Sequence, residues 1–438
     1  MDTVEPPAKP RRSPWASLRE NVETTVAAVV VALVIRQYVI EPYKIPTGSM
    51  GPSLHGVHRD IRCPSCGKAF ETGCEDPPAN DLSHEAACPD CGQRIVLGSG
   101  ALRRGDKILA NKLVYLLRPP RRWEVVVFYA AQGKTYIKRL AGLPGEKLEI
   151  KHGDLYIDDR LARRPPEVQR AMQVQVYDLT RGDARAWRQD PGKAVFQAGA
   201  LRFPAADWAD LSYAREITDW LCYNDWDKVS ASKLTPVGDL RVEMDCEVPA
   251  GGGIGCEIQE DGHSYRWTLG NGARGYEHQC RGARGESAPL KDLPPGRHRL
   301  VFSNLDDVQA LEVDGKEAFR RETPVPDVPD DEGVSSGLLL KGRGGAVVTG
   351  LKVFRDSAYS QHEVLSGGRG SPVLIPPGRY FFLGDNSLIS HDSRKWSSTP
   401  EGATIPESDI LGKAFVAVVH LDMPWDMPWK DLSCHWIR

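Results

Sequence analysis

Several absences narrow what this chain can be. There is no excess of one charge, since 56 Lys and Arg face 59 Asp and Glu over 438 residues, a formal net charge of -3. Without a global basic field, nucleic acid is excluded as a partner of the chain as a whole. Nor is there an uninterrupted apolar run of the roughly 20 residues that a bilayer core asks for. The nearest approach, Thr24 to Ile35, is cut by Arg36-Gln37 and resumes with Tyr38-Val39-Ile40. No small-x-small cleavage site follows it, which argues against a removable leader. The ten cysteines do not make one dense disulfide scaffold: Cys63, Cys66, Cys74, Cys88 and Cys91 cluster, while Cys222, Cys246, Cys256, Cys280 and Cys434 scatter. The scattered group reads as small buried thiols, the alternative being a bridge of Cys246 with Cys256, or of either with Cys280, if the domain is exported.

What is present reads as a mainly β protein of two to three domains, because 42 Gly, 33 Pro and 11 Trp fit many short strands joined by turns. Residues 1–18 read as a solvated, cytoplasmic tail and 19–40 as a transmembrane anchor, with Arg36 snorkelling and a buried core helix as the alternative. Lys9, Arg11, Arg12 and Arg19 precede the span. Their position predicts a single-pass protein of the cytoplasmic membrane, N-terminus inside and everything after residue 40 on the outer face.

Directly after that segment comes Ile45-Pro46-Thr47-Gly48-Ser49-Met50. Pro46 fixes its own φ and Gly48 tolerates φ values closed to other residues, so the turn can present Ser49 as an exposed hydroxyl nucleophile; an ordinary turn is the alternative. Further on, Val125 to Phe128 is a buried strand and Thr135 to Leu140 alternates, with Ile137 and Arg139 on one face and Tyr136 and Lys138 on the other. A lysine in a core strand is costly unless neutral or paired, and a neutral amine can take a proton from a serine hydroxyl. Snorkelling to solvent or pairing with an acid is the structural alternative. Near the C-terminus, Gly378 to Leu383 leads into a loop dense in short polar side chains, Gly384-Asp385-Asn386-Ser387-Leu388-Ile389-Ser390-His391-Asp392-Ser393-Arg394.

In order, these stretches resemble the boxes of bacterial type I signal peptidase, the membrane-bound Ser/Lys proteases of peptidase family S26. The resemblance covers the anchor, Ile45 to Leu54, Gly105 to Glu149 and Gly378 to Ala414, roughly a third of the chain. It implies a serine endopeptidase that cleaves signal peptides from exported preproteins, with Ser49 as nucleophile and Lys138 as general base. It implies an oxyanion hole from the Ser49 backbone N–H and the Thr47 hydroxyl. Ser390 then orients the base, Asp392 and Arg394 form a structural ion pair, Arg139 follows the base, and Gly384, Asp385 and Asn386 shape the loop behind the site. Ile45, Pro46, Tyr136 and Ile137 make a shallow apolar pocket for small residues before the cut, and Met50 lines the leaving side. His391 has no counterpart and reads as a surface residue. Ser387, Leu388 and Ile389 replace the family's charged run. No cofactor is needed for catalysis.

The catalytic domain is expected over 41–61, 101–165 and 361–438, interrupted twice. The first insert, 62–98, holds two C-x-x-C-G knuckles 21 residues apart, Cys63/Cys66 and Cys88/Cys91. Four thiolates at that spacing suit a structural, zinc-ribbon-like site, against oxidation to disulfides. Cys74 and His84 read as loop residues. The second insert, 166–360, shows alternating strands at Leu240–Val248, Gly255–Ile258, Tyr265–Leu269 and Arg297–Asn304 and an Asp314-Gly315 hairpin turn, the pattern of a two-sheet sandwich. It resembles the concanavalin-like jelly rolls, which implies an interaction module for a glycan or a protein. Asp306 and Asp307 read as solvated turn acids rather than calcium ligands. Two rivals remain: a self-cleaving repressor with the same dyad, which needs a helix-turn-helix head that the apolar segment replaces, and a membrane-anchored, non-catalytic binding module on a protease-like scaffold.

Overall fold

A computed structural model describes residues 14–74, 85–97, 102–130, 133–181, 184–189, 193–197, 199–224, 234–270, 272, 274–281, 283–323, 336–361, 363–419 and 433–437. Most of the expected tail, and His84, lie outside them. The described residues are mainly β.

Pro14–Tyr38 form one 25-residue helix. Its apolar side chains, among them Val26, Val30, Leu33 and Ile35, are exposed. No helix among the described residues is long and apolar enough to cross a membrane. The reason lies in the flanks, because Glu23 and Arg36 bracket a run, Val26 to Ile35, that as helix measures only about 15 Å against a hydrocarbon core of about 30 Å.

The chain then enters a sheet ordered Ile40–Lys44, Lys107–Asn111, Ile410–Val419, Val125–Tyr129, Thr135–Gly142, Arg379–Leu383, Ile405–Pro406, with Ser433–Trp436 pairing to the C-terminal end of Ile410–Val419. Val125–Tyr129 is buried at all but its last residue, as its β-branched run predicts. One face of this sheet packs Ile45, Met50, Leu54, Ile108, Val125 and Val127 with Ile137. The other packs Val126, Phe128, Leu140, Tyr380 and Phe382 with Tyr136 and Trp396. Phe128 stacks on Phe382 at 4.2 Å between centroids. A smaller sheet, Arg160–Leu161, Asp154–Ile157, Lys147–Lys151 and Val373–Leu374, leans on it through Leu148, Ile150 and Phe381.

Between Val174 and Arg355 two antiparallel sheets face each other. The central pair Leu240–Val248 and Gly296–Leu305 runs in unbroken register, and the burial of Leu240–Val248 alternates as its sequence predicts. Trp267 and Phe302 meet edge to face at 6.1 Å in the shared core. Both tight turns of the meander use positive φ: Asp306 and Asp307 at 48° and 62°, then Asp314 and Gly315 at 51° and 76°.

Cys246 and Cys256 are small buried thiols as expected, and one other expectation is corrected here. Cys246, Cys256 and Cys280 are free thiols. Cys246 and Cys256 stand on strands of opposite sheets, and Cys280 lies against His263, its Sγ 3.7 Å from Nε2. Asp306 is no solvated turn acid, being 2% exposed. It accepts from Gln169 Nε2 at 2.6 Å and faces Arg164 Nη1, which also meets Asp356 Oδ2 at 2.9 Å. Arg164 thus pins the sandwich to the smaller sheet where the chain enters and leaves it. Truncating the core indole by Trp267→Ala should lower stability by about 3–5 kcal/mol, seen as an earlier unfolding midpoint in denaturant; an unchanged midpoint would contradict the packing described.

Candidate active site

Ser49 sits in a single 3-10 turn, Gly48–Met50. Met50, 1% exposed, and Ile45, 3% exposed, anchor that turn in the core below it, so Ser49 is left between two buried neighbours. Lys138 projects from the strand Thr135–Gly142 and is 2% exposed. Its Nζ lies 2.5 Å from Ser49 Oγ. Burial pushes the Lys138 pKa down to about 8 from an ordinary 10.5; the Asp392 charge opposes this, and Arg394 adds to it. The Thr47 hydroxyl is 3.4 Å from Ser49 Oγ.

Two buried ion pairs build the wall behind the lysine. Asp392 and Arg394, both fully buried, share two hydrogen bonds of 2.9 and 2.8 Å. Asp392 also accepts the Gly384 N–H at 2.9 Å and caps the short helix Ser393–Trp396. Burial alone would raise its carboxyl, but Arg394 holds it below the usual carboxylate range. Arg139 grips Asp385 with bonds of 2.7 and 2.6 Å and donates to the Trp123 carbonyl at 2.7 Å. Asn386 is tied to the serine turn itself: its N–H donates to the Ser49 carbonyl at 3.1 Å and its Nδ2 to the Gly48 carbonyl at 3.0 Å.

Other expected residues are placed differently from their anticipated roles. Ser390 is fully buried beside the site, but its Oγ has no hydrogen-bond partner among the described residues, Lys138 included. Gly384 explains the crowding, since a Cβ there would fall 2.2 Å from Ser390 Oγ and 2.5 Å from the Ser49 carbonyl oxygen. The residues expected to share one pocket divide: Ile45, Met50 and Ile137 pack on one sheet face, and Tyr136 on the other beside Phe128 and Trp396. Met50 is core, not a lining residue. Pro46 is exposed, with its carbonyl accepting the Val57 N–H at 3.3 Å. Gly48 has an ordinary negative-side backbone; its lack of a side chain matters because Tyr223 occupies the space. His391 is exposed, its Nδ1 accepting from the Trp396 indole N–H at 3.1 Å.

Sequence reasoning missed Ser387, Ser360, Tyr223 and Asn224. Ser387 Oγ accepts from Arg394 Nη1 at 2.6 Å and from the Ser360 N–H at 2.6 Å, and the Ser360 carbonyl takes Arg394 Nη1 at 2.9 Å. A serine standing where the family has a charged run was the available signal for Ser387. Nothing local marked the other three.

The two cysteine knuckles close on each other. Cys63 and Cys91 Sγ are 3.5 Å apart, as are Cys66 and Cys88, and the four sulfurs lie within 4.8 Å of one another. The knuckles are near copies: Gly67 and Gly92 take φ of 73° and 72° and return N–H bonds of 2.9 Å to the carbonyls of Cys63 and Cys88. Cys74 stays apart, its Sγ at 4.0 Å from the Thr72 carbonyl.

The sequence profile of the family described as signal peptidase, peptidase S26, matches residues 18–62, 99–202 and 338–419. The unmatched stretches hold the knuckles and most of the sandwich. A probable signal peptidase I-1 of Synechocystis sp. is 24% identical over 226 residues, covering 46% of this chain and 91% of that protein. A signal peptidase I of Leptolyngbya laminosa is 25% identical over 45% of this chain and 87% of its own, and one of Bacillus caldolyticus 29% identical over 26% and 65%. Among solved structures, a Bacillus licheniformis β-glucanase aligns with 41% of this chain and 97% of its own at 9% identity, its TM-score of 0.28 too low for any inference. With serine, lysine and the Gly384–Arg394 loop gathered at one place and the profile spanning the same segments, the chain belongs to the signal peptidase family, peptidase S26, and is an enzyme of the signal peptidase I type.

Proposed function

We propose that the chain is a Ser49/Lys138 endopeptidase that removes signal peptides from exported preproteins at a membrane surface. One observation carries this reading: a buried amine lies 2.5 Å from the hydroxyl of a serine in a tight turn. With its pKa brought down to about 8, a useful fraction of Lys138 is neutral near physiological pH and accepts the Ser49 proton as Oγ attacks the scissile carbonyl. The Ser49 N–H and Thr47 hydroxyl stabilise the resulting oxyanion, each donor typically contributing about 3 kcal/mol. The ammonium then protonates the leaving amine, and Lys138 again serves as base when water hydrolyses the acyl-enzyme. Asp392–Arg394 and Arg139–Asp385 are the scaffold of this dyad. Ser390 supplies a buried hydroxyl to the same wall, and Pro46 and Ile137 favour small residues before the cut.

The exposed apolar helix Pro14–Tyr38 associates with the lipid bilayer in this reading, and the preceding basic residues keep the N-terminus on the cytoplasmic side. Cys63, Cys66, Cys88 and Cys91 hold a structural zinc ion, for which the paired glycine turns and mutual sulfur distances are suited.

Ser49→Ala and Lys138→Ala are each expected to abolish cleavage of a preprotein in detergent while the thermal unfolding midpoint stays near that of the parent; residual cleavage at parental rate in either variant refutes the dyad. Because the neutral amine is the active form, the rate should rise with pH and level off above about 8, rather than near the 10.5 of an ordinary lysine. Elemental analysis should find about one zinc per chain, released when the four cysteines are replaced, and Cys63 or Cys66 recovered in a disulfide would rule the site out.

A further inference from the structure

Leu221 to Asn224 belong to the long insertion, between the sandwich strands Ala209–Tyr213 and Leu240–Val248, yet this segment packs on the serine turn. Tyr223 and Asn224 are 5% and 2% exposed. The Tyr223 ring fills the space beside Gly48, where a Cβ would fall 2.2 Å from Cε1. The tyrosine is itself fixed at both ends, its carbonyl accepting the Gly73 N–H at 2.7 Å and its hydroxyl donating to the Val57 carbonyl at 3.2 Å. Asn224 Oδ1 accepts from Asn386 Nδ2 at 2.6 Å, and the same Nδ2 donates to the Gly48 carbonyl at 3.0 Å. An amide nitrogen carries two hydrogens, so both are committed and the orientation of Asn386 is set by Asn224. Asn386 in turn bonds the carbonyls of Gly48 and of Ser49, the peptide groups on either side of the nucleophile.

We propose that Tyr223 and Asn224 are positioning residues for the peptidase reaction. The insertion completes the wall of the serine turn, and the hydroxyl of Ser49 is held in line with Lys138 only while that segment is docked. Neither residue touches the reacting atoms; Tyr223 acts by blocking displacement of Gly48, Asn224 by aiming the Asn386 amide. The consequence is kinetic rather than a matter of affinity, because a shift of about 1 Å in a reacting group costs on the order of a hundredfold in rate. The proposal rests on the Ser49/Lys138 reading.

The test uses the full chain in detergent, cleaving a preprotein, with kcat and KM measured separately and unfolding midpoints recorded for each variant. Tyr223→Ala should lower kcat by about tenfold or more with KM within about twofold, and Tyr223→Phe, which keeps the ring on Gly48, should restore most of the rate. Asn224→Ala should lower kcat by a smaller factor, again without a matching change in KM. Gly48→Ala should be inactive because its methyl meets the ring, and Gly48→Ala combined with Tyr223→Ala should regain part of the lost activity. If Ser49→Ala is inactive but Tyr223→Ala and Asn224→Ala keep the parental kcat, the positioning role is overturned and the dyad survives. If Ser49→Ala itself cleaves at the parental rate, the dyad is what fails. Should Tyr223→Ala not fold, Asn224→Ala decides the matter, and parental kcat in that variant overturns the proposal.

Discussion

A lysine amine taken out of water next to a serine hydroxyl is the constraint around which this molecule is arranged. Lys138 has Asp392 and Asp385 in its electrostatic neighbourhood, and both favour the charged ammonium. Each carboxylate is engaged by its own guanidinium, Arg394 and Arg139, through paired hydrogen bonds in fully buried surroundings. Desolvation nonetheless remains the largest influence on the amine and lowers its pKa. Loss of either arginine leaves a bare buried carboxylate, at a cost of about 3–5 kcal/mol, and also turns that charge on the lysine.

Close approach is the second requirement, and glycines supply it. Gly48 admits the ring of Tyr223 on one side of the serine turn, and Gly384 admits Ser390 and the Ser49 carbonyl on the other. A methyl at either point would meet atoms at 2.2 Å, closer than any real contact. Gly48 looks, from the sequence, like a requirement of backbone conformation, but neither glycine has a positive φ. They are places where three separate chain segments converge on one turn.

The two insertions are built into this convergence. The strand Ala69–Gly73 beside the first knuckle bonds the Tyr223 carbonyl, Arg215 is hydrogen-bonded to the Asp90 carbonyl of the second knuckle, and Arg164 ties the sandwich to the small catalytic sheet. Knuckles and sandwich are thus joined to each other and to the smaller sheet by side-chain and backbone contacts, not only by the chain's connections.

Local pattern was enough for much of this. The β-branched run Val125 to Phe128, the alternation in Leu240–Val248, the Asp-Gly turn and the spacing of the four knuckle cysteines are short-range properties, and each is legible because neighbours along the chain decide it. The pairing of Ser49 with Lys138 was anticipated from the resemblance of their boxes to signal peptidase, while the residues by themselves left an ordinary turn and a snorkelling lysine open. What the fold alone decided are contacts among residues far apart in the chain: Asn224 on Asn386, Tyr223 on Gly48 and Asp306 on Arg164. Such contacts depend on which surfaces meet after the sheets close. Alternation along a strand assigns a side chain to a face, but it carries no information about what the rest of the chain brings to that face.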